Sequence, residues 1–115
     1  MTFTSPDCPY FYFLFIEVDP ENGGAYLEWQ DKKHIPEVLS DPAFLWVRLV
    51  KVERPGGRKD SEWDRYMILY GIKSLEDFQA YRKSDLFKSF GPELQKFKGT
   101  YRASRFLGPV DLAIG

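Results

Sequence analysis

A chain of 115 residues has room for one domain, and 16 basic against 17 acidic residues leave a net charge of −1, too weak a field for non-specific nucleic-acid binding. One cysteine, Cys8, excludes an internal disulfide and a thiolate zinc cluster and fits a reducing cytoplasm. Ten Phe, seven Tyr and three Trp are more large rings than a core of this size holds, so some must face a partner, a ligand or water.

Residues 1–9, with Ser5, Pro6, Asp7 and Pro9, show neither helical nor strand periodicity and read as a flexible leader. They lack the basic start of an export signal. The longest apolar run, Tyr10 to Ile16, is far short of the roughly 20 residues that span a bilayer. A soluble protein in the cytoplasm, without a membrane partner, is the expectation. Tyr10 to Val18 is rich in aromatic and β-branched residues and stops at Asp19-Pro20, which predicts a first strand. Alternation sets Tyr12, Leu14, Ile16 and Val18 on one face and Phe11, Phe13, Phe15 and Glu17 on the other.

Asn22-Gly23-Gly24 breaks the chain before a helical segment, Ala25 to His34, which Pro36 interrupts before a short turn through Leu39. Phe44 to Glu53 predicts a second strand, a hairpin loop follows from Pro55 to Trp63, and Asp64 to Ile72 predicts a third strand. Ser74 and Asp77 have capping-box spacing and open a helix through Leu75, Phe78 and Tyr81. Gly91-Pro92 is expected to break the next helical stretch, which carries Phe87, Phe90, Leu94 and Phe97. After Gly99, Thr100 to Leu107 predicts a fourth strand. The domain thus spans 10–107, with 108–115 a tail.

Strand, helix, strand, strand, helix, strand is the order of a ferredoxin-like α+β sandwich, in which the helices cover one face of a four-stranded antiparallel sheet. If Tyr12, Leu14, Ile16 and Val18 with Tyr66, Ile68, Tyr70 and Ile72 meet the helices, the opposite face shows Phe11, Phe13, Phe15, Met67 and Leu69. That face is too apolar to stand in water and is expected to pair with a second copy into a dimeric α+β barrel. Glu17 and Gly71 interrupt it, leaving room for a ligand cavity there.

Trp29 followed by His34-Ile35-Pro36 resembles the W…H-x-P signature of EthD-like proteins in the dimeric α+β barrel superfamily. An uncharacterised bacterial group of that superfamily is similar over more of the chain, roughly Phe13 to Leu107: Val18-Asp19, His34-Ile35-Pro36-Glu37-Val38-Leu39, Phe44, Arg48-Leu49, Tyr66, Tyr70 and Ser74-Leu75-Glu76-Asp77. The resemblance implies cofactor-independent monooxygenases, isomerases, cyclases and dehydratases, as well as members without known activity. It implies that His34 sits at a cleft beside the sheet, where a neutral imidazole removes a proton from carbon next to a carbonyl.

His34 is the only histidine; the alternative is a ring packed at the helix end. Glu17, the one charge in an apolar strand, needs a partner if enclosed, and Arg48 or Arg105 is the candidate; in a catalytic site either guanidinium would stabilise a carboxylate or enolate oxygen and Glu17 would be an orienting or second acid-base group. Phe13, Phe15, Trp46, Met67 and Leu69 form the expected apolar wall for a small hydrophobic carbonyl compound. Tyr66 and Tyr70 read as core. Asp60, Glu62 and Asp64 read as a solvated hairpin and Gly56-Gly57 as a turn. No metal motif or dinucleotide fingerprint is present, so neither a metal nor a cofactor is expected. Seven basic residues between Arg82 and Arg105 face only Asp85 and Glu93, which reads as a solvated helix face. A non-catalytic homodimer that binds a small ligand remains the competing expectation.

Overall fold

A computed structural model of the chain describes residues 8–57 and 62–111. In chain order its elements are β1 (Tyr10–Val18), α1 (Gly24–Trp29), a π-helical turn (Gln30–His34), α2 (Ile35–Leu39), β2 (Phe44–Val52), β3 (Asp64–Ile72), α3 (Leu75–Arg82), α4 (Asp85–Gln95) and β4 (Tyr101–Pro109). The strands form one antiparallel sheet ordered β2-β3-β1-β4, the interleaving of two βαβ halves in a ferredoxin-like α+β fold.

Register fixes the two faces. Leu14 lies opposite Ile68 and Arg105, and Ile16 opposite Tyr66 and Ala103, so these side chains share the helix-covered side. There Leu14, Ile16, Val18, Ile68, Tyr70 and Ile72 pack with Tyr26, Ile35, Val38, Phe78, Tyr81 and Phe90 into the core. On the other side Phe13 pairs with Leu69 and Phe106, and Phe15 with Met67 and Ser104. The Phe13 and Phe106 rings stack at 5.5 Å between centroids, and Phe15 stands 6.0 Å from each. Phe15 and Phe106 are 46% and 49% exposed, so the aromatic face anticipated from alternation is open.

The expected short turn from Pro36 through Leu39 is present as α2, whereas the break expected at Gly91-Pro92 does not occur. The first helical segment continues through Pro36 to Leu39 because the turn before it widens: the Ile35 N–H donates to the Gln30 carbonyl, five residues back. A proline ring needs room against the preceding turn and returns no N–H to it; the π turn supplies that room. Likewise α4 runs unbroken through Gly91 and Pro92. Proline crowds the Cβ of the residue before it, and Gly91 has none. The Ser74 cap is present: its hydroxyl accepts from the Asp77 N–H at 3.1 Å and donates to the Asp77 carboxylate at 2.7 Å. Ser84 caps α4 in the same way through the Phe87 N–H.

At the ends, order extends beyond the expected strand. Cys8 is buried, its thiol donating to the Tyr10 carbonyl, β4 reaches Pro109, and the Val110 N–H donates to the Pro9 carbonyl at 2.8 Å. Asp60 and most of the expected leader and tail lie outside the described residues.

Candidate functional site

A cavity of about 620 Å³ lies between the helices and the helix-covered side of the sheet, within the range of small-molecule sites. Tyr12 and Leu14 from β1, Ile68 and Tyr70 from β3 and Arg105 from β4 form its sheet wall. Gln30 and His34 enter from the π turn, Phe78 and Tyr81 from α3, and Phe90 and Leu94 from α4. Short π segments recur at functional sites because they re-aim side chains within a helix; here the segment carries Gln30 and His34, while Tyr26 reaches the cavity from α1.

His34 is gripped by rings. Trp29 stacks on it at 4.4 Å and Phe90 meets it edge-on at 4.3 Å. Its Nδ1 is buried without a hydrogen-bond partner among the described residues, and burial pushes its pKa down from 6.5 to about 4, with Glu93 pulling upward and Arg105 further downward. The ring is therefore neutral throughout the physiological range. Glu93 anchors the frame from α4: it accepts the Trp29 indole N–H at 3.1 Å and pairs with Lys33, which holds its carboxyl below the usual range.

Gln30, 3% exposed, donates its amide to the Tyr26 hydroxyl at 2.9 Å, while its carbonyl oxygen is buried without a donor among the described residues. Tyr26 stacks flat on Tyr101 at 4.0 Å, and burial pushes its phenol up to about 12. Burial also raises the phenols of Tyr12, Tyr70 and Tyr81, in Tyr12 against the opposing pull of Arg105 and Arg82. These hydroxyls stay protonated and available as donors.

Of the residues singled out from the sequence, His34 and Arg105 line this cavity together; Glu17, Arg48, Phe13, Phe15, Trp46, Met67 and Leu69 do not. Glu17 is on the open face, directly opposite Arg65 and Arg102, and both guanidinium groups lie 3.9 Å from its carboxylate. The register thus corrects its expected pairing with Arg48 or Arg105. Arg48 is exposed on β2, donates to the Val47 carbonyl and lies 5.3 Å from the Trp46 ring centre. The gap expected at Gly71 is filled: Leu45 is the extra residue of a bulge that sets Trp46 opposite Gly71, and a Cβ on Gly71 would come within 2.4 Å of the indole.

Gln30, Tyr12, Tyr26 and Tyr81 were not singled out from the sequence. The available signal was Gln30 four residues before His34 on a predicted helix, hence on the same face. Tyr70, read as core, is both core and cavity wall. Among the described residues no group of three or more His, Cys, Asp or Glu is placed to hold a metal ion, and no helix is long and apolar enough to cross a membrane.

Residues 9–107 match the family DUF4286, a domain of unknown function. The chain belongs to the DUF4286 family. No curated protein matches it. Among solved structures, an EthD family protein from Bacillus halodurans is 20% identical, with 86% of this chain and 96% of that one covered and a TM-score of 0.63. A dimeric ferredoxin-like protein from an uncultured marine organism is 15% identical, covering 93% and 99%, also at 0.63. SnoaB, a cofactor-independent oxygenase from Streptomyces nogalater in a variant form, is 12% identical, covering 92% and 97%, at 0.59. At such identities the likeness carries the fold, and it sets this DUF4286 domain beside EthD-like and dimeric ferredoxin-like proteins as the W…H-x-P resemblance implied.

Proposed function

We propose that this DUF4286 protein is a cofactor-independent enzyme that enolises a small hydrophobic carbonyl compound held between sheet and helices, with His34 as the base. The observation that carries this reading is a neutral imidazole and a guanidinium, His34 and Arg105, lining one apolar cavity. His34 takes a proton from the carbon beside the carbonyl; the C–H electron pair forms the new C=C bond, and the carbonyl π pair moves to oxygen. Arg105 and the Tyr12 hydroxyl stabilise that oxyanion. Return of the proton to another atom gives isomerisation, and loss of a leaving group gives elimination.

The depressed basicity of His34 constrains the substrate. A ring held near 4 is always free to accept a proton but holds it weakly, so the reacting carbon must itself be acidified, as between two carbonyls or in a ring that becomes aromatic on enolisation. Polyketide-like and cyclic diketone compounds meet that demand. SnoaB, a cofactor-independent oxygenase, shares the fold and lends support to chemistry without a cofactor.

The test is proton exchange. Cyclic 1,3-diketones incubated in D2O with the protein should exchange the activated C–H faster than in buffer, and His34→Gln should abolish the acceleration while leaving binding intact. Unchanged exchange in the variant removes His34 as the base. The packing of His34 between Trp29 and Phe90 favours, as the second reading, a non-catalytic binding protein in which the ring is part of the wall; binding without accelerated exchange selects it.

The open face supports a homodimer. Phe13, Phe15 and Phe106, flanked by Met67 and Leu69, present a ring cluster that a second copy would cover around a two-fold axis, and a structural neighbour is dimeric. The single, buried thiol of Cys8 supports a reducing, cytoplasmic setting.

A further inference from the structure

Three cations from three elements stand at the cavity: Arg82 in the last turn of α3, Lys88 on α4 and Arg105 on β4. All three are exposed at its rim, and none joins an ion pair among the described residues. No carboxylate lines the cavity among those residues. The acidic groups felt nearby are Glu93, at His34, and Asp41, at Tyr81, and Glu93 is already engaged by Lys33 and Trp29. Arg82 and Arg105 both act on the Tyr12 hydroxyl in the sheet wall, so their fields converge inside the opening. The excess of basic residues between Arg82 and Arg105 is thus partly gathered at one mouth.

We infer that the ligand of this cavity is an apolar acid, its hydrocarbon or ring body inserted among Leu14, Ile68 and Phe90 and its carboxylate held at the mouth by Arg82, Lys88 and Arg105. The inference rests on the reading of the cavity as a ligand site and adds the charge of the ligand to it. An apolar cavity with a one-signed rim concentrates ions of the opposite sign and orients them tail-first. Guanidinium groups also pair with a carboxylate through two parallel hydrogen bonds.

The experiment is calorimetric titration of the purified protein with 2-naphthoic acid, 4-biphenylcarboxylic acid and decanoic acid, each against its primary amide. The amides match the acids in size and lack only the charge. The inference expects at least one acid to bind about tenfold or more tighter than its amide at low salt. The margin should shrink on raising salt to about 0.5 M and should fall to threefold or less in the double variant Arg82→Gln/Arg105→Gln. Acids and amides binding equally overturn the inference and leave the ligand site standing. Failure of every acid and amide to bind at millimolar concentration overturns the ligand-site reading as well. Exposed arginines are replaced with little effect on folding, and the salt series on the unmodified protein decides the matter independently of the variant.

Discussion

Replacing His34 by Gln removes a titrating group whose basicity differs between the folded and unfolded chain, and the resulting pH dependence is calculable. In the unfolded chain the imidazole has its ordinary value of 6.5; in the fold burial holds it near 4. Because the folded value is the lower one, the unfolded state binds the proton more readily, and acid draws the equilibrium toward unfolding. The contribution is complete above about pH 7, is lost as pH falls from about 6.5 to about 4, and is constant below that. Each tenfold difference in proton affinity between the two states is worth about 1.4 kcal/mol, so the full loss is on the order of 3 kcal/mol, and between about pH 7.5 and 4.5 it is about 2.5 kcal/mol. Urea unfolding followed by tryptophan fluorescence, at one protein concentration for both proteins, gives the stability of each at the two pH values. The wild type should lose about 2.5 kcal/mol more than the variant on acidification, whatever constant offset the substitution itself introduces. Other acid-sensitive groups cancel in that comparison, Glu93 included, since Lys33 keeps its carboxyl below the usual range. Parallel pH dependences would refute the burial of a neutral imidazole.

Gln30→Met exchanges an amide with one made and one missing hydrogen bond for an apolar side chain of similar length, so thermal unfolding should show a stability within about 1 kcal/mol of wild type or above it; a loss beyond about 2 kcal/mol would mean that the amide oxygen has a partner. Gly71→Val places carbon where the Trp46 indole lies and should cost about 1–3 kcal/mol in urea unfolding; the companion change Trp46→Ala should relieve part of that loss, and strictly additive effects would count against the contact. Phe15→Glu/Phe106→Glu puts charge on two half-exposed rings of the open face and should give a folded monomer by sedimentation at micromolar concentration, where the wild type should sediment as a dimer; a double variant that remains dimeric would move the interface elsewhere.

The fold was legible because strand alternation is a local property. Tyr12, Leu14 and Ile16 against Phe11, Phe13 and Phe15 declare two different apolar faces whatever their partners, and Ser74 with Asp77 announces a helix start within four residues. Of the residues singled out from the sequence as a site, only His34 and Arg105 line the candidate cavity. The most apolar face drew attention as a ligand wall, yet apolar residues equally fill space or meet another copy, and a cavity depends on how far helices stand from a sheet. Partnership across strands was equally hidden: Arg65 and Arg102 reach Glu17 because the register sets them there, and one extra residue at Leu45 reverses the parity that decides where Trp46 points. Pro92 misled for a different reason, since the glycine before it removes the clash that normally ends a helix.

The π turn gives the binding wall an unusual mode of change. A π turn holds one residue more than an ordinary helical turn, so losing a single position between Gln30 and His34 would close it to an α turn and re-aim the side chains it carries, while Tyr26, Ile35 and Val38 on its flanks keep their places in the core. Diversification of this wall can therefore proceed by gain or loss of one residue as readily as by exchange of side chains. Variants of length at this point would present a new polar edge to the same apolar chamber without disturbing the sheet beneath.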